Sequence, residues 1–492
     1  MRTSSLKEKS IRGGISTMLY QTLDSFLRVG SVVVLARILM PADFGLVGMV
    51  TAITAVAERF KDFGLSTATV QQKSVTQEQV SKLFWINAAI GLGIAASVAT
   101  MSPLLAHFFN DERVLHITLV TATGFLWSGL TIQHQAILQR QMKYTSIGGI
   151  QLGSTILSLA IATIFAIRGY GYWALVWKDV LRSLFIAAGT WLWCSWTPSA
   201  PRRHIDVGPL LKFGRDITAF NVIVSFTISV DQILIGKLYG ATPLGIYRQA
   251  YQLMFWPINQ LNGPVTRVAE TTLSFLQDNA DRYRRFYLKI LTAVNFVMMP
   301  VVLFAAVYSD EIVLVVLGDK WVDAAPIFRI FALAAFIAPA SDTTCYLLVS
   351  CGETKRYLNL GLLTSATLLL SFGIGAIWGP LGVAYGYLAA TYMLLVLRLR
   401  YSFEGTPVDA KAFGEAIAKP VVASAAMMLA LVLFNRLVNV TSALGLLTMS
   451  VPISLASYVG LWMVMPGGKE QLGEIVHALA VSLHLDRRAA RP

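Results

Sequence analysis

Apolar runs of about twenty residues, separated by short polar turns, recur from residue 15 to residue 465. One α-helix needs a run of that length to cross the hydrocarbon core of a bilayer. Fourteen runs meet the requirement, among them 15–39, 43–69, 216–239, 244–267, 288–317 and 324–350. The pattern predicts an all-α polytopic membrane protein with about 14 transmembrane helices. No stretch between the runs is long and polar enough for a separate soluble domain. Beyond Gly467 and Gly468, Leu472, Ile475, Val476, Leu479 and Leu483 share one helical face. That spacing predicts a cytoplasmic amphipathic tail over 467–492, lying on the membrane surface.

Charge then orients the helices. With the first end in the cytoplasm, 25 of the 40 lysines and arginines fall in inside loops and six outside. Positive residues concentrate on the cytoplasmic side of membrane proteins, so both termini are expected inside, with an even number of spans. The net charge of +13 is therefore a loop property, facing anionic lipid head groups, and argues against nucleic-acid binding. Composition agrees: 55% of the residues are hydrophobic, 14% are charged and the mean hydropathy is +0.61. Cys194, Cys345 and Cys351 show no metal-ligand spacing and read as apolar fillers.

The chain also repeats itself. At an offset of 200 residues, Gly14 meets Gly214, Ser25-Phe26 meets Ser225-Phe226, Arg37 meets Lys237, and Gly45-Leu46 meets Gly245-Ile246. Lys82-Leu-Phe-Trp85 resembles Arg284-Arg-Phe-Tyr287, and Gly169-Tyr-Gly-Tyr-Trp-Ala174 resembles Gly379-Pro-Leu-Gly-Val-Ala384. Six spans separate each pair, which predicts parallel repeats about an axis along the membrane normal. The expected organisation is one six-helix lobe over 1–205, a second over 206–405, and two further helices over 406–466.

Polar groups inside the spans mark candidate chemistry. Thr17, Gln21, Asp24, Arg28 and Ser31 share one face of span one, with Asp24 four residues before Arg28, a favourable helical ion pair. An ionised side chain at mid-bilayer is costly, roughly 2.5–3.5 kcal/mol on insertion scales, so this face must look into protein or water. Thr218, Asn221, Ser225 and Asp231 mark span seven, and Lys178, Asp179 and Arg182 mark span six. Arg248 stands among Tyr247, Tyr251, Trp256 and Gln260, while Arg329 and Asp342 lie in span ten. Arg59, Arg182 and Arg267 lie near the cytoplasmic side and read as snorkelling anchors. Pro257, Pro264, Pro300 and Pro339 mark places where a span is expected to break or kink. The glycine pairs Gly236/Gly240 and Gly382/Gly386 have the spacing of close helix contacts.

No enzyme signature accompanies these groups. His107 and Asp111 form an HxxxD spacing without partners, and there is no P-loop, GxSxG or histidine metal set. The expectation is a transporter without cofactor, not an enzyme.

Gly13-Gly14-Ile-Ser, Leu35-Ala-Arg-Ile-Leu-Met-Pro-Ala-Asp-Phe-Gly45 and Gly169-Tyr-Gly-Tyr-Trp-Ala174 resemble the polysaccharide transport family. That family includes the Wzx-type flippases of the multidrug/oligosaccharidyl-lipid/polysaccharide exporter superfamily. The resemblance covers nearly the whole chain and implies two pseudo-symmetric six-helix lobes around a cavity. It implies carriage of undecaprenyl-pyrophosphate-linked oligosaccharide units across the bacterial inner membrane for lipopolysaccharide, capsule or exopolysaccharide synthesis. It further implies alternating access of the lobes, a proton or sodium counter-ion, and contact with membrane lipids and polysaccharide polymerase machinery. Arg28 and Arg248 match the family's cationic cavities, with Gln21, Asn221, Lys178 and Arg329 as further substrate-binding candidates. Asp24, Asp231, Asp179 and Asp342 depart from a purely basic cavity, which leaves ion coupling or internal pairing open. A drug or small-solute exporter of the same superfamily, a peptidoglycan-precursor flippase and a membrane-embedded glycosyl- or acyltransferase are the alternative readings.

Overall fold

A computed structural model describes residues 2–61, 64–71, 75–200, 229–438, 440 and 442–473. The described residues are helical nearly throughout, and the chain divides into two compact units, Met1–Arg248 and Gln249–Pro492.

The first unit holds α1 (Arg2–Ile38), α2 (Pro41–Phe60), α3 (Leu65–Gln71), α4 (Gln77–Phe109), α5 (Arg113–Arg140), α6 (Tyr144–Ile167) and α7 (Trp173–Trp193). It also holds α8 (residues 229–239) and the opening turns of α9 (Ala241–Phe275). Local chemistry sets the helix ends. Pro41 opens α2, where its missing N–H costs nothing, and the Asp43 carboxylate accepts from Met40 N at 2.9 Å. Thr76 caps α4: its hydroxyl accepts from Gln79 N at 3.2 Å, and Gln79 Oε1 accepts from Thr76 N at 3.0 Å. Asn110, at φ 56°, turns the chain out of α4 in the left-handed region that asparagine tolerates.

The offset of 200 residues is visible as a contact. A methyl group on Gly45 would sit 1.7 Å from the Ala241 carbonyl oxygen, and one on Gly245 would sit 1.9 Å from that of Pro41. Residue 41 stands to 245 as 241 stands to 45, the reciprocal pairing that a two-fold relation produces. Only glycine admits two backbones this close. One turn further along each helix, a methyl group on Gly48 would lie 3.3 Å from Nη1 of Arg248.

The segment leading to the expected lobe boundary at 205 is fastened in part. Trp85 Nε1 donates to Ser199 O at 2.9 Å, Ser199 N donates to Ser81 Oγ at 3.1 Å, and Trp196 packs edge-on against Phe84 and His134. Pro201, Arg202 and the rest of that loop lie outside the described residues, as do Thr218, Asn221, Ser225 and the tail positions Ile475, Val476, Leu479 and Leu483.

The second unit continues α9 and adds α10 (Ala280–Val307), α11 (Ser309–Val316), α12 (Ala324–Ala335), α13 (Ala338–Ser350), α14 (Thr354–Gly375), α15 (Gly379–Phe403), α16 (Ala410–Leu437) and α17 (Ala443–Val464). Buried Tyr283, Tyr287, Leu291 and Met299 of α10 form a core with Tyr346, Leu347 and Phe413. Tyr308, Met427, Leu431, Tyr458 and Trp462 form a second cluster, which seats α16 and α17. The Gly382/Gly386 spacing is used as expected: added methyl groups would meet the carbonyl oxygens of Gly375 and Ser371 at 2.2 and 2.5 Å, so α14 and α15 touch backbone to backbone.

Among the described residues, eight helical stretches are long and apolar enough to cross a membrane, or nine with one bent pair. One of the eight, Thr354–Phe403, is 50 residues long and comprises α14 and α15. A straight helix of that length would measure roughly 75 Å, far beyond a bilayer, so it supplies two crossings. Charged residues in α1 and α7, and the glutamines and asparagines of α9, keep these three helices out of that set although each is long enough to span. The structure breaks one expected continuous helix and bends another where a proline was expected to break or kink it. The run 288–317 breaks at Tyr308. The run 324–350 bends by 42° between α12 and α13, just before Pro339, whose ring and missing N–H stop α12 from continuing. Pro257 and Pro264 in α9 and Pro300 in α10 leave their helices unbroken.

Candidate functional site in the first unit

Asp24 organises the site. It is 6% exposed on α1; its Oδ2 accepts from Nε of Arg28 at 2.8 Å and lies 2.8 Å from Nη2 of the same guanidinium. The i,i+4 spacing stacks these side chains on one helical face, as expected. Asp24 does more than pair within its own helix. The Thr155 hydroxyl of α6 donates to Asp24 Oδ1 at 2.5 Å and accepts from Arg182 Nε of α7 at 3.1 Å. Arg182 Nη2 lies 3.7 Å from the same Oδ2 that Arg28 holds. Two guanidinium groups thus share one carboxylate, and a hydroxyl from a third helix locks the arrangement.

Next to Arg182 on α7, Asp179 stands 3.6 Å from Lys178 Nζ. Arg248 lies on the opening turns of α9, which belong to the same unit. Arg248 is half-buried against Gly48 and has no hydrogen bond or ion pair among the described residues. The group therefore counts four cations, Arg28, Arg182, Lys178 and Arg248, against the carboxylates Asp24 and Asp179. The formal surplus is two positive charges. Gln21 is exposed on α1, one turn before Asp24. Asp231 is buried apart from these cations: it accepts from the Tyr247 hydroxyl at 2.9 Å and from Gln232 N at 2.7 Å.

The remaining candidates lie in the second unit. Arg329 of α12 donates from Nε to Ser309 Oγ at 2.8 Å and pairs with Asp310 at the start of α11. Asp342 of α13 pairs with Arg398 Nη1 of α15 at 3.1 Å, and Ser341 Oγ accepts from the same nitrogen at 3.2 Å. This pair lines a cavity of about 170 Å³ together with Tyr251, Asn259, Tyr387 and Thr391. The sequence marks Arg182 as a membrane anchor, and neither Thr155 nor Arg398 stands out among its candidates. The available signal was weak: Arg398 and Arg400 are two apart on a helix, so they cannot share a face.

These features define a multi-pass helical membrane protein with charged groups inside its spans. The polysaccharide biosynthesis protein family model matches residues 34–326, more than half of the chain, and the protein belongs to that family. It is 23% identical over 400 residues to the lipopolysaccharide biosynthesis protein WzxC of Escherichia coli (strain K12), covering 80% of each chain. It is 26% identical over 325 residues to the teichuronic acid biosynthesis protein TuaB of Bacillus subtilis (strain 168), covering 65% of this chain and 66% of TuaB. The fold resembles an inward closed conformation of the lipid II flippase MurJ, with TM-score 0.73 and 14% identity over 92% of this chain and 98% of that one.

Proposed function

We propose that the protein is a flippase that carries lipid-linked oligosaccharide repeat units from the inner to the outer leaflet of the bacterial inner membrane. The observation that carries this reading is the surplus of arginine and lysine over carboxylate inside the first unit. Burying an isolated ionised group in hydrocarbon is prohibitive, so a diphosphate crosses only where fixed cations replace its hydration. A diphosphate esterified at both ends bears two negative charges, and the group around Asp24 and Arg248 has two positive charges to offset them. Arginine suits this task because its planar fork donates two hydrogen bonds to one phosphate. Arg248, with no ion pair or hydrogen bond among the described residues, and the outer edge of Arg28 are the contacts we assign to cargo; Gln21, Asn221, Lys178 and Arg329 are assigned to its sugars or to its path. The polyprenyl tail stays in lipid.

In this reading both termini are cytoplasmic, and two lobes, 1–205 and 206–405, alternate access by rocking. Asp231, a buried carboxylate without an ion pair among the described residues, is the coupling-ion candidate. Asp342 is held by Arg398 and Asp24 by two arginines, so both serve internal pairing. A strain deleted for the protein should lose its surface polysaccharide and accumulate lipid-linked repeat units, with unchanged drug sensitivity. Raised drug sensitivity with normal polysaccharide would instead identify an exporter of small solutes.

A further inference from the structure

The arrangement around Asp24 is unbalanced in a specific way. Arg28 commits Nε–H to Asp24 Oδ2 and sets Nη2 2.8 Å from the same oxygen. Arg182 commits Nε–H to Thr155 and sets its Nη2 at a longer 3.7 Å from the carboxylate. A guanidinium has five N–H donors, so each arginine keeps several uncommitted, and neither has a further hydrogen-bond partner among the described residues. One carboxylate offsets one of the two charges. The side chains of Arg28 and Arg182 are 54% and 25% exposed, against 8% for Asp24, so the anion lies on the inner side and the cations keep open edges.

Building on the proposed cargo, we propose that Arg182 is a second diphosphate-binding cation beside Arg28, and that Thr155 is the positioning residue that fixes the pair. Two guanidinium groups on one carboxylate oxygen have room for two adjacent phosphates, one for each arginine, whereas a monophosphate engages only one. Arg182 therefore confers selectivity for diphosphate over monophosphate. Thr155 supports this through both functions of its hydroxyl, donating to Asp24 and accepting from Arg182, which valine cannot reproduce at nearly equal volume.

The test uses the full-length protein in phosphatidylcholine nanodiscs, with farnesyl diphosphate and farnesyl monophosphate as probes. Wild type should prefer the diphosphate. Arg182→Gln should lose roughly tenfold or more in diphosphate affinity, the scale of hydrogen bonds to charged groups, with little change for the monophosphate. Arg182→Lys should retain part of the preference. Thr155→Val should weaken diphosphate binding and Thr155→Ser restore it, each compared at equal monodisperse protein. An unchanged diphosphate-to-monophosphate ratio in Arg182→Gln, with wild type binding normally, overturns the assignment of Arg182 alone. A wild type that binds neither probe overturns the cargo reading on which it rests. Repeating the titration with phosphatidylglycerol separates the sources of phosphate: unchanged affinity supports the diphosphate, and complete displacement by the lipid would reassign the site to anionic head groups.

Discussion

Replacing Asp24 by asparagine tests the site at its most constrained atom. The substitution keeps shape and an acceptor for Thr155, but removes the charge that Arg28 reaches at 2.8 Å and Arg182 at 3.7 Å. The two guanidinium groups then face each other uncompensated. Two like charges about 6 Å apart at an effective dielectric of about 20 repel by roughly 3 kcal/mol. Breaking a fully buried ion pair from one side costs about 3–5 kcal/mol; the exposure of both guanidinium groups lowers that cost here, yet it stays noticeable against the roughly 5–15 kcal/mol by which most domains are stable. Asp24→Asn should therefore lower abundance and the melting temperature, followed by size-exclusion chromatography after heating in detergent. Second-site changes sharpen the test. Arg182→Gln on the Asp24→Asn background removes the more buried cation and leaves Arg28, whose side chain is 54% exposed and tolerates solitude. Arg28→Gln on that background leaves the more buried Arg182 alone. The expected stability order is Asp24→Asn with Arg182→Gln, then Asp24→Asn with Arg28→Gln, then Asp24→Asn alone. A fully stable Asp24→Asn protein, or double mutants no better than the single one, would refute the shared-carboxylate reasoning.

Other outcomes follow from the same geometry. Gly45→Ala places a methyl group 1.7 Å from the Ala241 carbonyl oxygen, so α2 and α9 must part, at roughly 1–3 kcal/mol by overpacking. Gly149→Ala, with nothing within 4 Å, should be silent in the same thermal assay. Arg248→Gln should abolish polysaccharide export at unchanged protein abundance, because Arg248 holds no ion pair among the described residues that its loss would orphan. Arg248→Lys should restore export in part, read by surface-polysaccharide staining. For topology, single cysteines at 198–212 and 277–285 should resist an impermeant thiol reagent in intact cells, while those at 319–323 should react, in a background lacking Cys194, Cys345 and Cys351.

The fold was legible because membrane crossing demands long apolar runs, and α4, α5, α6, α16 and α17 carry little else. The repeat was legible for a related reason: Gly45 and Gly245 recur at one offset because each must admit the other helix's backbone. Breaks were harder to read. Apolar composition continues through Tyr308 and across the α12–α13 bend, and only Pro339 signals either of them. At the site, spacing on one helix revealed the Asp24–Arg28 pair, which is a local property. Arg182 and Thr155 arrive from α7 and α6, and a linear sequence gives a residue's depth in the membrane without naming its neighbour on another helix. Arg398 stays unmarked for the same reason, since its partner Asp342 lies 56 residues away on α13.

The central claim is that this protein moves a lipid-linked glycan between leaflets. Its most direct test is the fraction of lipid-linked repeat units open to an impermeant glycan-oxidising reagent added to the periplasmic face of spheroplasts. In cells depleted of the protein, that fraction should fall towards zero while total lipid-linked glycan rises. Wild type should restore it and Arg248→Gln should not. An undiminished periplasmic fraction in depleted cells would contradict the account.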